Sequence, residues 1–390
     1  MNWFSQHFEL SRGGGAANVK PMEGLRGFAV FLVFIVHFVS LATPWLQKNS
    51  DFLLFTTALH SIGHTGVDVF FVLSGYLIYS SLISRHQPFL RFMSRRVERI
   101  YPAFTVVFVI YLFLSYLFPA ESKIPTTSSA ALIYLTQNFF LLPGLYPVEP
   151  MITVAWSLSY EMFYYLMLPV VIELFRLRER SSLWRSIFFL SVATLTAIYC
   201  AVDGGPIRLI MFVAGILVYE AMSNPTVLLL PKFAGVPALV IGLLCMLLPL
   251  SGSAGATVKI SILFLAYFTV CLICFRHPAN RLARSFSWTP LRWLGNMSYS
   301  YYLLHGLALK AGFLVLAKFL PVAGHGPWLF WCLLPPMFIV TLMPTTLLFL
   351  LIERPFSLAP RMKKTTSPAL ADASDSSIRA QSPQVAKHRH

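Results

Sequence analysis

The sequence predicts an all-α polytopic membrane protein with about ten transmembrane helices and both termini in the cytosol. The prediction depends on composition, on the length of the apolar runs and on where the basic residues lie. Of the 390 residues, 57% are hydrophobic and 12% are charged, and the mean hydropathy is +0.69. A soluble domain has about a quarter of its residues charged, which it needs to cover its surface. The composition therefore excludes an ordinary soluble protein.

Ten apolar runs are long enough to be considered as membrane spans. About 20 apolar residues in a helix match the roughly 30 Å hydrocarbon core of a bilayer. The runs over residues 207–222 and 234–250 are short, and Gly and Pro interrupt them. No cleavable signal peptide is expected before the first run, because the N-terminal residues are polar and glycine-rich. The predicted spans cover roughly residues 27–46, 61–83, 100–119, 152–175, 186–202, 207–222, 234–250, 257–275, 296–320 and 328–352.

Basic residues fall mainly on the segments that this topology places in the cytosol. The chain carries 30 Lys and Arg against 15 Asp and Glu, a net charge of +15. These residues lie between apolar runs and not on one soluble module, so we predict no nucleic-acid partner. An excess of Lys and Arg on cytosolic segments is the rule for membrane proteins. Six basic residues fall instead on the side of the membrane opposite the cytosol: Lys48, Lys123, Arg208, Lys259, Lys310 and Lys318.

We predict one membrane domain over residues 21–356, between two segments without a fold of their own. Residues 1–20 form a cytosolic N-terminal segment that we expect to be flexible. Residues 357–390 are rich in Ser, Ala, Lys and Arg, so we expect a disordered cytosolic tail. The longest outer loop covers residues 120–151 and contains a short apolar stretch, Leu132–Leu142, that we place at the membrane interface.

All five cysteines lie in or at the edge of apolar runs. Cys271 and Cys274 form a C-x-x-C, but no second pair accompanies it. Packing in an apolar interior explains these thiols better than a zinc or redox site does. We therefore predict no metal site and no permanently bound cofactor.

Among the ionisable residues inside the predicted spans, four stand out: His37, Asp68, Glu161 and His305. Each costs about 2.5–3.5 kcal/mol at the centre of a bilayer, so such residues usually have a function. At about 1.5 Å per helical residue, His37, Glu161 and His305 each lie roughly 15 Å from a membrane face. Three spans thus place a titratable group at one level, which predicts a shared polar site.

Glu161 needs a partner at that depth, because an isolated buried carboxylate is unfavourable. His37 would satisfy it and would gain the basicity and orientation of a general base. Tyr164 and Tyr165, three and four residues further along the helix, are candidate donors to the same carboxylate. A structural interpretation is also open, in which the aromatic residues pack and His305 hydrogen-bonds two helices together.

A basic segment follows the second span. Arg91, Arg95, Arg96 and Arg99 lie within nine residues. They could fix the topology or contact anionic lipid. The planar guanidinium also suits bidentate binding of phosphate, and a nucleotide thioester such as acyl-CoA carries several phosphates. Beside a polar site in the membrane, the second interpretation predicts a donor site for a phosphorylated substrate.

Five stretches, in order along the chain, resemble the membrane-bound acyltransferase 3 family, which includes O-acetylases of lipopolysaccharide O-antigen, exopolysaccharide and Nod-factor sugars. The resemblance covers the membrane domain from Pro21 to Pro355. Tyr76 departs mildly from the phenylalanine that many members carry. The matching stretches are Arg26 and His37 with ten residues between them, Gly66–Ile78, Arg96–Pro102, Trp156–Tyr164 and Leu294–His305.

The resemblance implies a role for each of these positions. His37 would be the essential base or acyl-handling residue, with Glu161 as its partner. Arg26 would hold the donor, and Arg96 and Arg99 would bind its phosphates. The remaining family positions are supporting residues, of which the first two could be structural: Asp68, Ser74, Tyr164, Tyr299 and His305.

The family implies an integral-membrane O-acyltransferase in a bacterial inner (plasma) membrane. Its donor would be acyl-CoA, which we expect to be acetyl-CoA, and its acceptor a hydroxyl of a cell-envelope or exported carbohydrate or glycolipid. We expect His37, oriented by Glu161, to deprotonate that hydroxyl for attack on the thioester; a covalent acyl-enzyme is the other route. Longer relatives carry a lipase-like domain that this sequence does not show. Transfer would then be completed in the membrane domain or with an envelope-assembly partner.

Two other functions are open on the sequence. A transporter or flippase also uses intramembrane His and Glu as a proton relay. The chain shows no internal repeat of the kind found in inverted-repeat transporters, and the cytosolic Arg-x-x-Arg favours the enzyme. The other function is that of an acylating enzyme from an unrelated multi-spanning family. The Arg-x10-His and Trp-Ser-Leu-x-x-Glu motifs argue against it.

Overall fold

The computed structural model describes residues 3–9, 20–47, 51–224 and 230–358, and this part of the chain is helical. Its extended pairings are two isolated bridges, so the all-α class is confirmed for the described residues. Within these ranges fifteen α-helices follow one another, and the last continues into a π-helical segment, Phe349–Leu358. The helices are α1 Trp3–Phe8, α2 Lys20–Ala42, α3 Asp51–Gly63, α4 Thr65–Ile83, α5 Phe89–Leu117, α6 Ser128–Phe139, α7 Ala155–Leu174, α8 Ser182–Asp203, α9 Ile210–Ser223, α10 Gly235–Leu244, α11 Gly252–Arg276, α12 Arg281–Phe286, α13 Thr289–Asn296, α14 Ser298–Leu316 and α15 Pro327–Leu348.

Each of the ten predicted spans falls on one of these helices, but only six described stretches are long and apolar enough to cross a membrane. Polar side chains such as Glu161 on α7 and His305 on α14 lower the hydropathy of those two helices. Helices α9 and α10 have 14 and 10 residues, so each is too short to span alone. The count of ten and the cytosolic termini stay predictions. The six stretches are Lys20–Trp45, Asp51–Ile83, Phe89–Leu117, Ser182–Asp203, Gly252–Arg276 and Pro327–Leu358.

Helix α8 shows how the domain meets the membrane. Leu195, Ile198 and Val202 lie three or four residues apart on this helix, and all three are exposed. A continuous apolar stripe is unfavourable in water, whereas lipid covers it without loss. The exposed side chains of α8 therefore face the hydrocarbon of the bilayer.

Glycines bring two pairs of helices into backbone contact. A Cβ atom on Gly75 of α4 would lie 2.0 Å from the Phe212 carbonyl oxygen of α9, and one on Gly215 of α9 would lie 1.9 Å from the Val72 oxygen of α4. A Cβ on Gly27 of α2 would lie 2.0 Å from a carbonyl oxygen of α13. Small residues that let backbones approach are typical of helix contacts in membranes. Helices α4 and α9, and helices α2 and α13, are therefore held at backbone distance.

Buried carboxylates in the described residues are paired with arginine. Breaking such a pair from one side leaves an unpaired buried charge, so the pairs fix the positions of the helices that carry them. They connect α4 to the turn before α9, α9 to α8, the π-helical segment to α5, and α2 to α13. The pairs are Asp68 with Arg208, Glu220 with Arg185, Glu353 with Arg99, and Glu23 with Arg292.

The N-terminal segment predicted to be flexible is partly folded. Its residues Trp3–Phe8 form α1, and the buried Phe8 ring stacks on Phe349 with centroids 5.6 Å apart. Burying an aromatic side chain of this size stabilises the helix, which the polar and glycine-rich composition of the segment did not indicate. Residues 10–19 and most of the predicted tail, from residue 359 onwards, lie outside the described residues.

Candidate active site

A cavity of about 120 Å³ lies between helices α2, α4, α5, α7 and α14. Side chains from all five helices line it, and they include both charged and apolar groups. The polar residues that were predicted for the site from the sequence and that line this cavity are Arg26, Ser74, Arg96, Arg99, Glu161, Tyr165 and Tyr299. Three guanidinium groups and one carboxylate thus share one cavity, which is a site suited to an anionic ligand with additional hydrogen-bond donors.

Arg96 has no carboxylate partner among the described residues. Its Nη2 donates to the Ser81 hydroxyl at 3.2 Å, and its guanidinium carbon lies 5.0 Å and 5.1 Å from the ring centroids of Phe92 and Tyr165. Its Nε is buried without a hydrogen-bond partner in the described part of the chain. A buried donor without an acceptor is unfavourable, so this guanidinium is prepared for an anion that accepts from it.

Arg99 already has a counter-charge. Its Nη1 lies 2.7 Å from Oε1 of Glu353, which is fully buried. The other carboxylate oxygen, Oε2, accepts from the Ser300 backbone N–H at 3.0 Å and from the Ser300 hydroxyl at 2.6 Å. We predicted that Arg99 binds donor phosphate, but the structure gives the guanidinium an internal carboxylate. The partner was not visible from the sequence because the two residues are far apart in the chain and meet only through packing.

Glu161 is hydrogen-bonded to hydroxyl groups, and the predicted pair with His37 is not formed. Its Oε1 accepts from the Ser74 hydroxyl at 3.2 Å and from the Tyr165 hydroxyl. The donor from Tyr165, one helical turn away, is as expected, whereas Tyr164 donates to a backbone carbonyl oxygen before α9 at 2.8 Å. Oε1 of Glu161 is therefore held by two hydroxyl groups and not by a histidine.

His37 faces His305 and not Glu161. The two ring centroids are 4.9 Å apart, with the planes at 64°. Nδ1 of His305 lies 2.9 Å from the carbonyl oxygens of both Tyr301 and Tyr302. Carbonyl oxygens only accept, so Nδ1 carries the proton and Nε2 of the neutral ring offers a lone pair. This Nε2 is buried and has no hydrogen-bond partner among the described residues, which leaves one fixed acceptor beside His37.

Tyr302 lies next to both the cavity and His305. It lines the cavity, and its ring centroid lies 6.1 Å from that of His305 and 5.9 Å from that of Phe70. Its hydroxyl is 2.7 Å from the Ser157 hydroxyl. Tyr299, one turn earlier on α14, donates to a backbone carbonyl of α5 at 2.7 Å. Tyr302 is therefore a cavity-lining side chain that also lies beside the buried histidine.

Asp68 has a structural partner that we did not predict. This fully buried carboxylate accepts a hydrogen bond from Arg208, which also donates to the His64 carbonyl oxygen at 3.3 Å. The signal in the sequence was a carboxylate inside a span, which needs a cation, together with an arginine at the start of another span. Asp68 thus fixes α4 against the turn before α9 and does not line the cavity.

The sequence analysis also missed two histidines, His60 and His64. Their ring centroids are 4.7 Å apart. Nε2 of His60 lies 3.1 Å from the Ser40 hydroxyl on α2, three residues beyond His37. Residues four apart share a face of a helix, and two histidines at this spacing at the start of the second predicted span were the available signal.

In the described residues, no three His, Cys, Asp or Glu side chains are close enough together to hold a metal ion. The five cysteines are free thiols, and Cys271 and Cys274 are buried on α11. The expected absence of a metal and of a permanently bound cofactor stays a prediction.

Comparisons with known proteins show which family the chain resembles. Residues 20–351 match the family Acyl_transf_3, described as an acyltransferase domain. The peptidoglycan O-acetyltransferase OatA of Listeria monocytogenes is 27% identical over 319 residues, which cover 74% of this chain and 49% of the relative. The O-acetyltransferase OatA of Staphylococcus aureus is 27% identical over 326 residues, which cover 73% of this chain and 49% of the relative.

A third relative extends the alignment. The putative peptidoglycan O-acetyltransferase YrhL of Bacillus subtilis is 27% identical over 376 residues, covering 86% of this chain and 54% of the relative. The chain thus spans about half the length of these relatives. No solved structure matches the chain. Because the family match contains every residue that lines the cavity, together with His37 and His305, the chain belongs to the acyltransferase 3 family.

Proposed function

We propose that this chain moves an acetyl group from acetyl-CoA to a hydroxyl group of a cell-wall carbohydrate. The family and the names of the O-acetyltransferase relatives support transfer of an acyl group to oxygen. The observation that supports acetyl-CoA as the donor concerns Arg96. This guanidinium lines the cavity, and its buried Nε lacks a partner among the described residues. CoA has several phosphates, and a planar guanidinium binds phosphate through two parallel hydrogen bonds.

The donor enters at the arginines and extends towards His37. Arg26 and Arg96 hold phosphate oxygens, while Glu161 accepts hydrogen bonds from the amide groups of the donor arm. Arg26 and His37 lie on one helix, about 16 Å apart along its axis, a distance that an extended arm covers. Tyr302 lies in this path and turns aside when the thioester enters.

A histidine pair takes the place of the predicted His37–Glu161 pair in the chemical step. Nε2 of His305 is a fixed hydrogen-bond acceptor. When the His37 ring donates an N–H to this nitrogen, the hydrogen bond fixes the orientation of the His37 ring. His37 then removes the proton of the acceptor hydroxyl as the hydroxyl oxygen attacks the thioester carbonyl. The C–S bond breaks, the ester forms and the CoA thiolate leaves.

Transfer of label from radiolabelled acetyl-CoA to cell-wall glycan tests the proposal. Membranes with the wild-type chain should label the glycan, and membranes with His37→Ala should not. Arg96→Gln should raise the acetyl-CoA concentration for half-maximal transfer by about tenfold or more, because a hydrogen bond to a charged group contributes about 1.5–3 kcal/mol. Arg91→Gln is the matched control, since Arg91 is exposed on the same helix and does not line the cavity.

Two results would count against this function. Undiminished transfer by His37→Ala would remove the histidine from the mechanism. Accumulation of label inside sealed vesicles, without ester formation in the wild type, would indicate a transporter in place of an acyltransferase.

A further inference from the structure

Four histidines form a row from the interior of the domain to its surface. His305 is fully buried, His37 and His60 are half-buried, and His64 is exposed. The ring centroids are 4.9 Å apart for His305 and His37, and 4.7 Å apart for His60 and His64. His60 connects the two pairs, because it interacts electrostatically with His37 and contacts the hydroxyl of Ser40, one turn further along α2.

The exposed end of the row is far from the arginines. His64 directly precedes α4, which begins at Thr65. Arg96 contacts Ser81, near the other end of α4, and the cavity residue Ser74 lies between these points. The helix from Thr65 to Ser81 is about 24 Å long at 1.5 Å per residue. The guanidinium of Arg96 and the ring of His64 therefore lie towards opposite ends of α4.

The charged groups around the row neutralise one another. Arg208, which lies beside His64, is paired with Asp68. Other titratable groups within electrostatic reach of this pair come from α7, from α11, from the turn after α10 and from α14: Tyr160, Tyr267, Cys245 and Tyr302. Phenols and thiols in their ordinary state are neutral at neutral pH. The groups in this region that can exchange a proton readily are therefore the imidazoles.

An imidazole row is suited to proton transfer. Each neutral ring accepts on one nitrogen and donates from the other, so a proton that arrives on one side can leave on the other. The Ser40 hydroxyl both donates and accepts, and it contacts His60. Nε2 of His305 has no hydrogen-bond partner among the described residues, and one water or a rotation of the rings closes such a gap.

We propose that His60 and His64 conduct the proton that His37 removes from the acceptor hydroxyl to the surface of the domain away from the donor arginines. This inference rests on the acyl transfer proposed above. The O–H and C–S bonds break and the C–O bond of the ester forms. The hydroxyl proton passes from His37 through His60 and His64 to water, and the CoA thiolate takes up a proton from water at the donor end. Alcohol and thioester become ester and thiol, with one proton released and one taken up.

The test uses the purified full chain in lipid vesicles with radiolabelled acetyl-CoA and cell-wall glycan. His64→Ala and His60→Gln should lower kcat by about tenfold or more, because a positioned proton-transfer group contributes at least this much. The KM for acetyl-CoA should not change, since neither residue lines the donor cavity. Free imidazole should restore most of the activity of His64→Ala, whose site is exposed. The matched control is His325→Gln, a half-buried histidine near the same end of α2 and outside the row.

Each outcome decides the inference. Unchanged kcat in His64→Ala and His60→Gln, with normal transfer by the wild type, would refute proton transfer through these two histidines. The proposed acyl transfer would remain intact. A lowered kcat that imidazole does not restore, together with a lowered unfolding temperature, would assign these histidines to packing and would also refute that proton transfer. Absence of acetyl transfer by the wild type would refute the proposed function and, with it, proton transfer through His60 and His64.

Discussion

Glu353 is the buried carboxylate that holds the arginine side of the cavity together. One oxygen accepts from Arg99 at 2.7 Å, and the other accepts two hydrogen bonds from Ser300. In Glu353→Ala these three donors lose their acceptor, and a largely buried guanidinium loses its counter-charge. Breaking a buried pair from one side costs about 3–5 kcal/mol. We expect Glu353→Ala to lower the free energy of unfolding by this amount.

Accessibility of the buried thiols provides the assay. Cys332 is the exposed cysteine, and in a Cys332→Ser background a thiol-reactive dye reacts only as the chain unfolds. The matched control is Glu149→Ala, which breaks an ion pair with Lys123 in which Glu149 is 63% exposed. An exposed pair contributes about 0–1 kcal/mol, so this variant should unfold close to the wild-type temperature. The buried thiols that report unfolding are Cys200, Cys245, Cys271 and Cys274.

Equal unfolding temperatures for Glu353→Ala and Glu149→Ala would refute the reasoning. The double variant Arg99→Met, Glu353→Leu separates stability from donor binding. It removes both charges and keeps apolar volume, so it should recover most of the lost stability. An unchanged KM for acetyl-CoA in this variant would make Arg99 structural, whereas a raised KM would restore its predicted role at the donor phosphates.

Three further substitutions test other contacts by yield and by the same unfolding assay. Gly75→Ala should prevent correct assembly, because its Cβ would lie 2.0 Å from a backbone oxygen, whereas Gly306→Ala, which has open space around it, should be neutral. Tyr165→Phe removes a donor from the cavity carboxylate and should cost about 1.5–3 kcal/mol; wild-type stability would contradict that bond. Asp68→Asn leaves Arg208, which is 23% exposed, without a counter-charge and should cost about 2–3 kcal/mol, with loss below 1 kcal/mol as the contrary result.

The helical class and the positions of ten of the fifteen helices in the described residues followed from the sequence, because apolar runs report a local property. Hydropathy reports contact with lipid, however, and not position in the membrane. Helices α7 and α14 line the site, so they carry Glu161, His305 and several hydroxyls. Their polar faces are buried between helices. Their hydropathy is therefore lower than that of α8, whose exposed face is apolar.

The members of the site were easier to predict than their partners. Position along a helix axis follows from counting residues, and it correctly placed His37 level with His305. The rotation of each helix about its axis and the identity of its neighbours depend on tertiary packing. Glu161 was therefore assigned to His37 although it turns towards Ser74. The link between Arg99 and Glu353 depends on the same packing, since it connects α5 to the end of the chain's described part.

The glycine contacts determine which parts of the enzyme are able to move. Backbone atoms of α4 touch those of α9, and backbone atoms of α2 touch those of α13, with no side chain between them to deform. Interiors packed in this way transmit displacement and do not absorb it, so each helix pair shifts only as one body. Arg26 and His37 both lie on α2, so the contact between α2 and α13 fixes the backbone that carries these two side chains.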